Sequence, residues 1–130
     1  MPADPIDLVR LAERLAREVG QEIVRLRANG LVEVTTKSSA TDMVTEVDRA
    51  AEHLIVDALR DARPADGIIG EEGAAREGTS GIRWLVDPID GTTNFLYGLP
   101  GWAVSIAAVD DDGPVAGAVA VPTFAELFSG

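Results

Sequence analysis

Residues 82–91 read IRWLVDPIDG, a short apolar run that ends directly in carboxylates. A run of this length bounded by polar residues is typical of a buried strand. Asp87 and Asp90 follow it three residues apart, on a segment that we predict to be a loop leading into a short helix. The apolar run at 67–70 ends in the same way, at Glu71. These two junctions indicate where the chemistry of this protein is to be sought.

Two amphipathic helices are predicted before these strands. Asp4 is placed to cap the first helix, which begins at Pro5 and stops at Asn29-Gly30. Thr45 is placed to cap the second helix, which ends before Arg63-Pro64. Apolar residues recur every three to four positions in both helices, as expected of helices with one buried face. The predicted buried stripes are Ile6, Val9, Ala12, Ala16, Val19, Ile23 and Leu26 in the first helix and Val44, Val47, Ala51, Leu54, Ile55 and Ala58 in the second.

Strands and loops make up the rest of the chain. Alternating β-branched residues predict a strand at 31–36, and polar residues predict loops at 37–42 and 73–81. Two further strands are predicted on either side of an acidic hairpin turn at 110–114, and another strand is predicted near residue 124. Because helices come first and consecutive strands follow, we predict an α+β fold with an antiparallel sheet, in a single domain over residues 1–130.

The composition excludes several classes of function. The chain has 22 acidic and 11 basic residues, a formal net charge of −11, so nucleic acid is not an expected partner. The absence of cysteine excludes disulfides and thiolate chemistry. No apolar run reaches the ~20 residues that a bilayer crossing needs, and no basic and apolar leader is present, so we expect a soluble, cytoplasmic protein without a membrane partner.

The carboxylates after the strand predict a metal and phosphate site. Asp87, Asp90 and the carbonyl of Ile89 offer hard oxygen ligands to Mg²⁺, and Gly91 allows backbone N–H groups to approach an anion closely. Carboxylates within ~4 Å repel each other by about 4 kcal/mol at an effective dielectric near 20, so the cluster calls for a cation. Water on such a cation loses a proton more easily, which provides a nucleophile without Cys, His or Ser.

Three elements of the sequence resemble the inositol monophosphatase family of Mg²⁺-dependent, lithium-sensitive sugar-phosphate phosphatases. The segment WLVDPIDGTTNF at 84–95 resembles the first signature motif of the family. The GEE at 70–72 resembles its acidic element, and Lys37-Ser38-Ser39, followed by the segment 42–48, resembles its lysine loop and the helix after it. The three elements occur in the family's order and spacing.

The resemblance implies a set of metal ligands. Glu71, Asp87 and the Ile89 carbonyl would hold a first Mg²⁺, and Asp87 and Asp90 would share a second. Glu71 would also help to hold a third, weakly bound ion. Two or three Mg²⁺ ions are therefore expected, with Mn²⁺ as an alternative.

The resemblance also implies the catalytic roles. Gly91 and Thr92 would present backbone amides to the substrate phosphate. The Thr92 hydroxyl and Asp48 would orient the attacking water, and Lys37 would lie near the metal-bound waters. The resemblance implies that Glu71 is a catalytic residue as well as a metal ligand.

The expected activity is hydrolysis of inositol monophosphate or a related small sugar or polyol phosphate, within a layered αβαβα fold that is frequently a homodimer. Histidinol-phosphate, fructose-bisphosphate and adenosine-bisphosphate phosphatases of the same superfamily remain alternatives, because they share the metal motif. The family has a second half, with a W-D-x-A-A-G-like motif that completes the metal site. Because this half has no counterpart here, we expect a truncated, N-terminal part of a family member, and a non-catalytic metal-binding half-domain is a further alternative.

Other conspicuous residues are assigned no role in the chemistry. The acidic run Asp110 to Asp112 precedes Gly-Pro and is predicted to be an exposed turn. His53 is predicted to be a surface or helix-packing histidine. Ser105 has neither a G-x-S-x-G context nor a histidine partner, which argues against a serine hydrolase. The aromatic residues Trp84, Phe95 and Trp102 are predicted to be core or interface residues.

Overall fold

A computed structural model describes residues 4–28, 40–70, 75–91, 94–95 and 99–130. Two helices and a six-stranded sheet make up this part of the chain, which confirms the predicted α+β class. The helices are α1 (Pro5–Ala28) and α2 (Ala40–Ala62). The strands are β1 (Gly67–Gly70), β2 (Ala75–Arg76), β3 (Arg83–Asp90), β4 (Ala103–Asp110), β5 (Gly113–Val121) and β6 (Glu126–Ser129), with a 3₁₀ turn at Pro122–Phe124. The predicted strand at 31–36 lies outside the described residues.

Helix α1 begins and ends where the sequence predicts. The Ile6 N–H donates to Asp4 Oδ1 at 2.9 Å, so Asp4 caps the helix. The buried face contains Leu8, Ala12, Leu15, Ala16, Val19 and Ile23. The assignment of Ile6 to this face is wrong, because its side chain is 60% exposed. Ile6 lies two residues, or about 200° around the helix, from the buried Leu8.

Helix α2 begins earlier than predicted. It starts at Ala40, so Thr45 lies inside the helix and is not its cap, and the end of the predicted loop is helical. The buried stripe is Val47, Ala51, Ile55 and Leu59, whereas Leu54, predicted as buried, is 43% exposed. The predicted end before Arg63 is confirmed.

The sheet has the strand order β2-β1-β3-β4-β5-β6, and it is mixed rather than antiparallel. β1 and β3 pair in parallel, whereas the other neighbouring strands pair antiparallel. The predicted loop at 73–81 contains the short β2, which turns back along the outer edge of β1. The chain then returns in the original direction as β3, and this path explains the parallel pair.

One face of the sheet carries the core. Alternate residues of β3, β4 and β5 pack against the buried stripes of α1 and α2. These strand residues are Trp84, Val86, Val104, Ile106, Ala108, Ala116, Ala118 and Ala120. The residues between them point to the opposite face, which is more open. Leu85 is 41% exposed there, and Phe128 is 57% exposed. We refer to this second face as the open face.

Asp66 fixes the start of β3, the strand that leads to the predicted site. Its buried carboxylate accepts hydrogen bonds from Arg63 (2.7 and 3.1 Å), the Ser80 hydroxyl (2.6 Å) and the Trp84 indole N–H (2.8 Å). Burial acts to raise the pKa of Asp66, but these hydrogen bonds and the Arg63 charge outweigh burial and hold the pKa below its ordinary value.

Residues that were assigned no chemical role lie where expected. Asp110 to Asp112 form the exposed hairpin turn, in which the Asp112 N–H donates to Asp110 Oδ1 at 2.8 Å. His53 is exposed on α2. Trp84, Phe95 and Trp102 are buried. Within the described residues, neither helix combines the length and apolar composition that a bilayer crossing requires.

Candidate metal and phosphate site

Strand β3 continues through the predicted loop and ends at Asp90. Asp87 pairs with Ser105 of β4 and Asp90 pairs with Ala103, so three steps on β3 match two steps on β4. One extra residue on a single strand is a β-bulge, and proline is tolerated at bulges. The prediction that Asp87 starts a loop is therefore wrong, because the strand accommodates Pro88 in the bulge.

The bulge brings the two aspartates to the same side of the sheet. In a regular strand, residues three apart point to opposite faces. Here Pro88 and Ile89 are both buried in succession and Asp90 is exposed, so the alternation slips by one residue. The partners Ser105 and Ala103 are two apart on β4 and share a face, and directly opposite residues lie on one side of the sheet.

The two carboxylates differ in their surroundings. Asp87 is half-buried, with a buried Oδ1 atom, whereas Asp90 is exposed. Carboxylate and carbonyl oxygens are the ligand types that hard divalent cations prefer, so the donor types of Asp87, Asp90 and the Ile89 carbonyl suit an ion such as Mg²⁺ or Mn²⁺.

Gly91 forms a tight turn directly after the strand. Its φ is +86°, in the left-handed region, and a Cβ atom there would lie 3.3 Å from both the Gly101 carbonyl oxygen and the Trp102 Cα. The Phe95 N–H donates to the Gly91 carbonyl at 3.1 Å, and the Phe95 ring packs edge-on against Trp102 with centroids 5.2 Å apart. The left-handed φ and the close approach of Gly101 and Trp102 explain why glycine occupies position 91.

Asp48 lies on α2, which packs against β3. Its side chain is only 8% exposed. A second carboxylate, Glu52, follows one helical turn later and is 5% exposed. The burial of Glu52 was not predicted from the sequence. The spacing of four residues between Asp48 and Glu52 does indicate that both side chains lie on one side of the helix.

The remaining predicted site residues, Lys37, Glu71 and Thr92, lie outside the described residues. Asp87, Ile89, Asp90 and Gly91 are brought together at the end of β3. Over the described ranges, no three acidic or histidine side chains lie close enough together to form a metal-binding group.

Known proteins resemble this chain along its whole described length. The model of the inositol monophosphatase family matches residues 4–130. A protein of Mycobacterium leprae named inositol-1-monophosphatase is 44% identical over 132 residues, covering 90% of this chain and 45% of the relative. A Pseudomonas aeruginosa protein named Nus factor SuhB is 48% identical over 103 residues, covering 77% of this chain and 38% of the relative.

The similarity extends to a solved structure. Mycobacterium tuberculosis SuhB superposes with a TM-score of 0.82 at 39% identity, over 98% of this chain and 45% of that protein. The chain spans less than half the length of each of these three relatives.

Proposed function

Because the chain belongs to the inositol monophosphatase family, we propose that it carries the metal and phosphate site of a phosphatase acting on small sugar or polyol phosphates. Inositol monophosphate is the proposed substrate. The observation that supports this proposal most directly is the bulge in β3, because it directs Asp87 and Asp90 to one side of the sheet next to the Gly91 turn.

The proposed ligands of the first metal ion are Glu71, Asp87 and the Ile89 carbonyl, and Asp87 and Asp90 hold a second ion. A bound divalent cation lowers the pKa of a coordinated water and neutralises phosphate charge. The half-buried Asp87 belongs to both ligand sets, so it would tie both metal ions to the end of β3. The exposed Asp90 would bind the second ion from the same side of the sheet as Asp87. Glu71 is also the proposed ligand of a third, weakly held ion.

The proposed phosphate cradle follows the metal ligands along the chain. The positive φ of Gly91 produces a sharp backbone turn there. We propose that the N–H groups of Gly91 and Thr92 bind the substrate phosphate. Asp48 and the Thr92 hydroxyl are proposed to orient the attacking water, and Lys37 is proposed to lie near the metal-bound waters. Burial of Asp48 on a helix that packs against β3 supports this role, because burial limits the motion of the Asp48 side chain.

A non-catalytic role is the second candidate function. The Pseudomonas aeruginosa relative is named as a Nus factor rather than as a phosphatase. In this case the acidic site would bind a metal ion without hydrolysing an ester.

Phosphate release separates the two candidates. The assay uses inositol 1-phosphate and Mg²⁺, with this chain alone and with this chain joined to the remaining half of the Mycobacterium leprae relative. Release in either form, abolished by Asp90→Asn, supports the phosphatase. Inactivity of both forms contradicts it and favours the non-catalytic role. Histidinol phosphate, fructose 1,6-bisphosphate and adenosine 3′,5′-bisphosphate, tested in parallel, rank the alternative substrates.

A further inference from the structure

Arg27 occupies an unexpected place in the last turn of helix α1. The buried stripe of this helix runs through Ala16, Val19 and Ile23, and the same spacing of three to four residues continues to position 27. An apolar residue would extend the stripe, but the sequence has an arginine there, and this arginine is part-buried. A charged group withdrawn from water is costly unless a partner compensates its charge.

The partner of Arg27 is the aromatic ring of Phe95. The Arg27 Cζ atom lies over this ring, 4.6 Å from the ring centroid, which is within the range of a cation–π contact. Within the part of the chain that the structure describes, no carboxylate forms an ion pair with Arg27. Phe95 is fully buried, and its ring also packs against Trp102. Two separate contacts, one with a cation and one with an aromatic ring, therefore hold the Phe95 side chain.

Phe95 is bonded to the turn that follows the proposed metal ligands. Its N–H donates to the Gly91 carbonyl at 3.1 Å. A carbonyl group and the N–H group that follows it in the chain belong to one planar peptide unit, so holding the carbonyl also holds the direction of that N–H. Phe95 thus connects the end of α1 to the peptide at which the proposed phosphate cradle begins.

We propose that Arg27 is a positioning residue for the phosphate-binding turn at Gly91. By covering the Phe95 ring, the guanidinium keeps Phe95 in the place from which its N–H holds the Gly91 carbonyl. The role is indirect, because Arg27 acts through Phe95 and not by contact with the phosphate. The inference rests on the proposed function, because it requires the turn at Gly91 to bind phosphate.

Separate titrations with metal and with phosphate test this role without relying on turnover. Calorimetry measures the uptake of MgCl₂, and then the uptake of inorganic phosphate at saturating MgCl₂. We expect Arg27→Met to weaken phosphate binding about 2- to 30-fold, the fold-change that corresponds to a cation–π contact of about 0.5–2 kcal/mol. The affinity for magnesium should stay unchanged, because the proposed metal ligands precede the turn. A loss of magnesium affinity of the same size would show a general weakening of the site and would overturn the positioning role.

Two further variants control for charge and for the contact itself. Arg25→Met removes a positive charge from the same last turn of α1, but Arg25 is exposed and pairs with Glu22, so phosphate affinity should match that of the unaltered protein. Phe95→Leu removes the aromatic ring. In the Phe95→Leu background, Arg27→Met should cause no further loss of phosphate affinity, because the partner of the guanidinium is already absent.

The results separate this inference from the function on which it rests. Equal phosphate affinity of Arg27→Met and the unaltered protein would overturn the positioning role alone. An equal loss in Arg25→Met, or an undiminished effect of Arg27→Met in the Phe95→Leu background, would also overturn it. If the unaltered protein takes up no magnesium or no phosphate, the inference and the proposed function fail together. Thermal unfolding monitors the fold of each variant, and Phe95→Met, with its more adaptable side chain, replaces Phe95→Leu if the latter does not fold.

Discussion

Asp87 and Asp90 point to the same side of the sheet because β3 is bulged between them. Without the bulge, two residues three apart in a strand would lie on opposite faces. Pro88, which cannot donate a ladder hydrogen bond, lies within the irregular segment. The local backbone is thus what allows both carboxylates to serve one site.

Asp90→Asn should lower the rate of phosphate release by about 100-fold or more, because it removes a direct metal ligand. Loss of a residue that only hydrogen-bonds to a metal ligand typically lowers activity 10- to 100-fold, and loss of the ligand itself should cost more. The fold should persist, since the Asp90 side chain is exposed. The assay is phosphate release from inositol 1-phosphate in the form of the protein that is active. Asp111→Asn, in the exposed hairpin turn, is the matched control and should keep full activity. Equal rates of phosphate release for Asp90→Asn and the control would show that Asp90 is not a metal ligand.

Gly91→Ala should destabilise the protein more than Gly81→Ala does. Both glycines have a positive φ, +86° and +89°, so both substitutions carry a left-handed backbone cost of roughly 1–2 kcal/mol. A Cβ at Gly81 meets open space, whereas one at Gly91 crowds Gly101 and Trp102, which adds about 1 kcal/mol or more. Urea unfolding of the two variants measures the difference. Equal free energies of unfolding would show that the turn at Gly91 is not tightly packed.

Acid should weaken the fold through Asp66. Its pKa is lowered in the folded state, so the carboxylate contributes stability above its unfolded pKa, and this contribution is lost as the pH falls through the folded pKa. The stability that the Asp66 carboxylate contributes is therefore expected to fall below about pH 4, which is close to the ordinary pKa of aspartate.

Asp66→Asn tests this assignment. It should cost about 1–3 kcal/mol at neutral pH, because it disturbs a buried hydrogen-bonded group. It should also flatten the dependence of stability on pH below about 4. Unfolding free energies measured across this range give both quantities. An unchanged slope in Asp66→Asn would assign the acid sensitivity to other carboxylates.

Thr92→Ala should lower kcat more than it raises KM, if the hydroxyl orients the attacking water. Thr93→Ala removes the neighbouring hydroxyl and serves as the control, with little expected change in either constant. Steady-state kinetics on inositol 1-phosphate measure both. A change confined to KM in Thr92→Ala would indicate that the hydroxyl contributes only to binding.

Local signals in the sequence predicted much of the framework. Asp4 and Pro5 locate the start of α1, and Arg63-Pro64 locates the end of α2, because caps and proline act on neighbouring backbone groups. The turn at Asp110 to Asp112 and the burial of Trp84 are likewise local properties. These predictions are confirmed by the structure.

Features that depend on distant partners were not predictable. The bulge at Asp87 to Asp90 is defined only by the register against β4, and the sequence DPID on its own suggests a loop. The parallel pairing of β1 with β3 depends on β2, which is only two residues long. The exposure of Leu54 and the burial of Glu52 depend on how α2 is rotated against the sheet.

A crystal of the protein soaked with MnCl₂, with anomalous scattering recorded, shows directly whether Asp87 and Asp90 hold a metal ion. We expect an anomalous peak within coordination distance of the Asp87 and Asp90 carboxylates, and loss of that peak in the Asp87→Asn variant. A peak only at the acidic turn of Asp110 to Asp112, or no peak at the end of β3, would exclude a metal site built on these two residues.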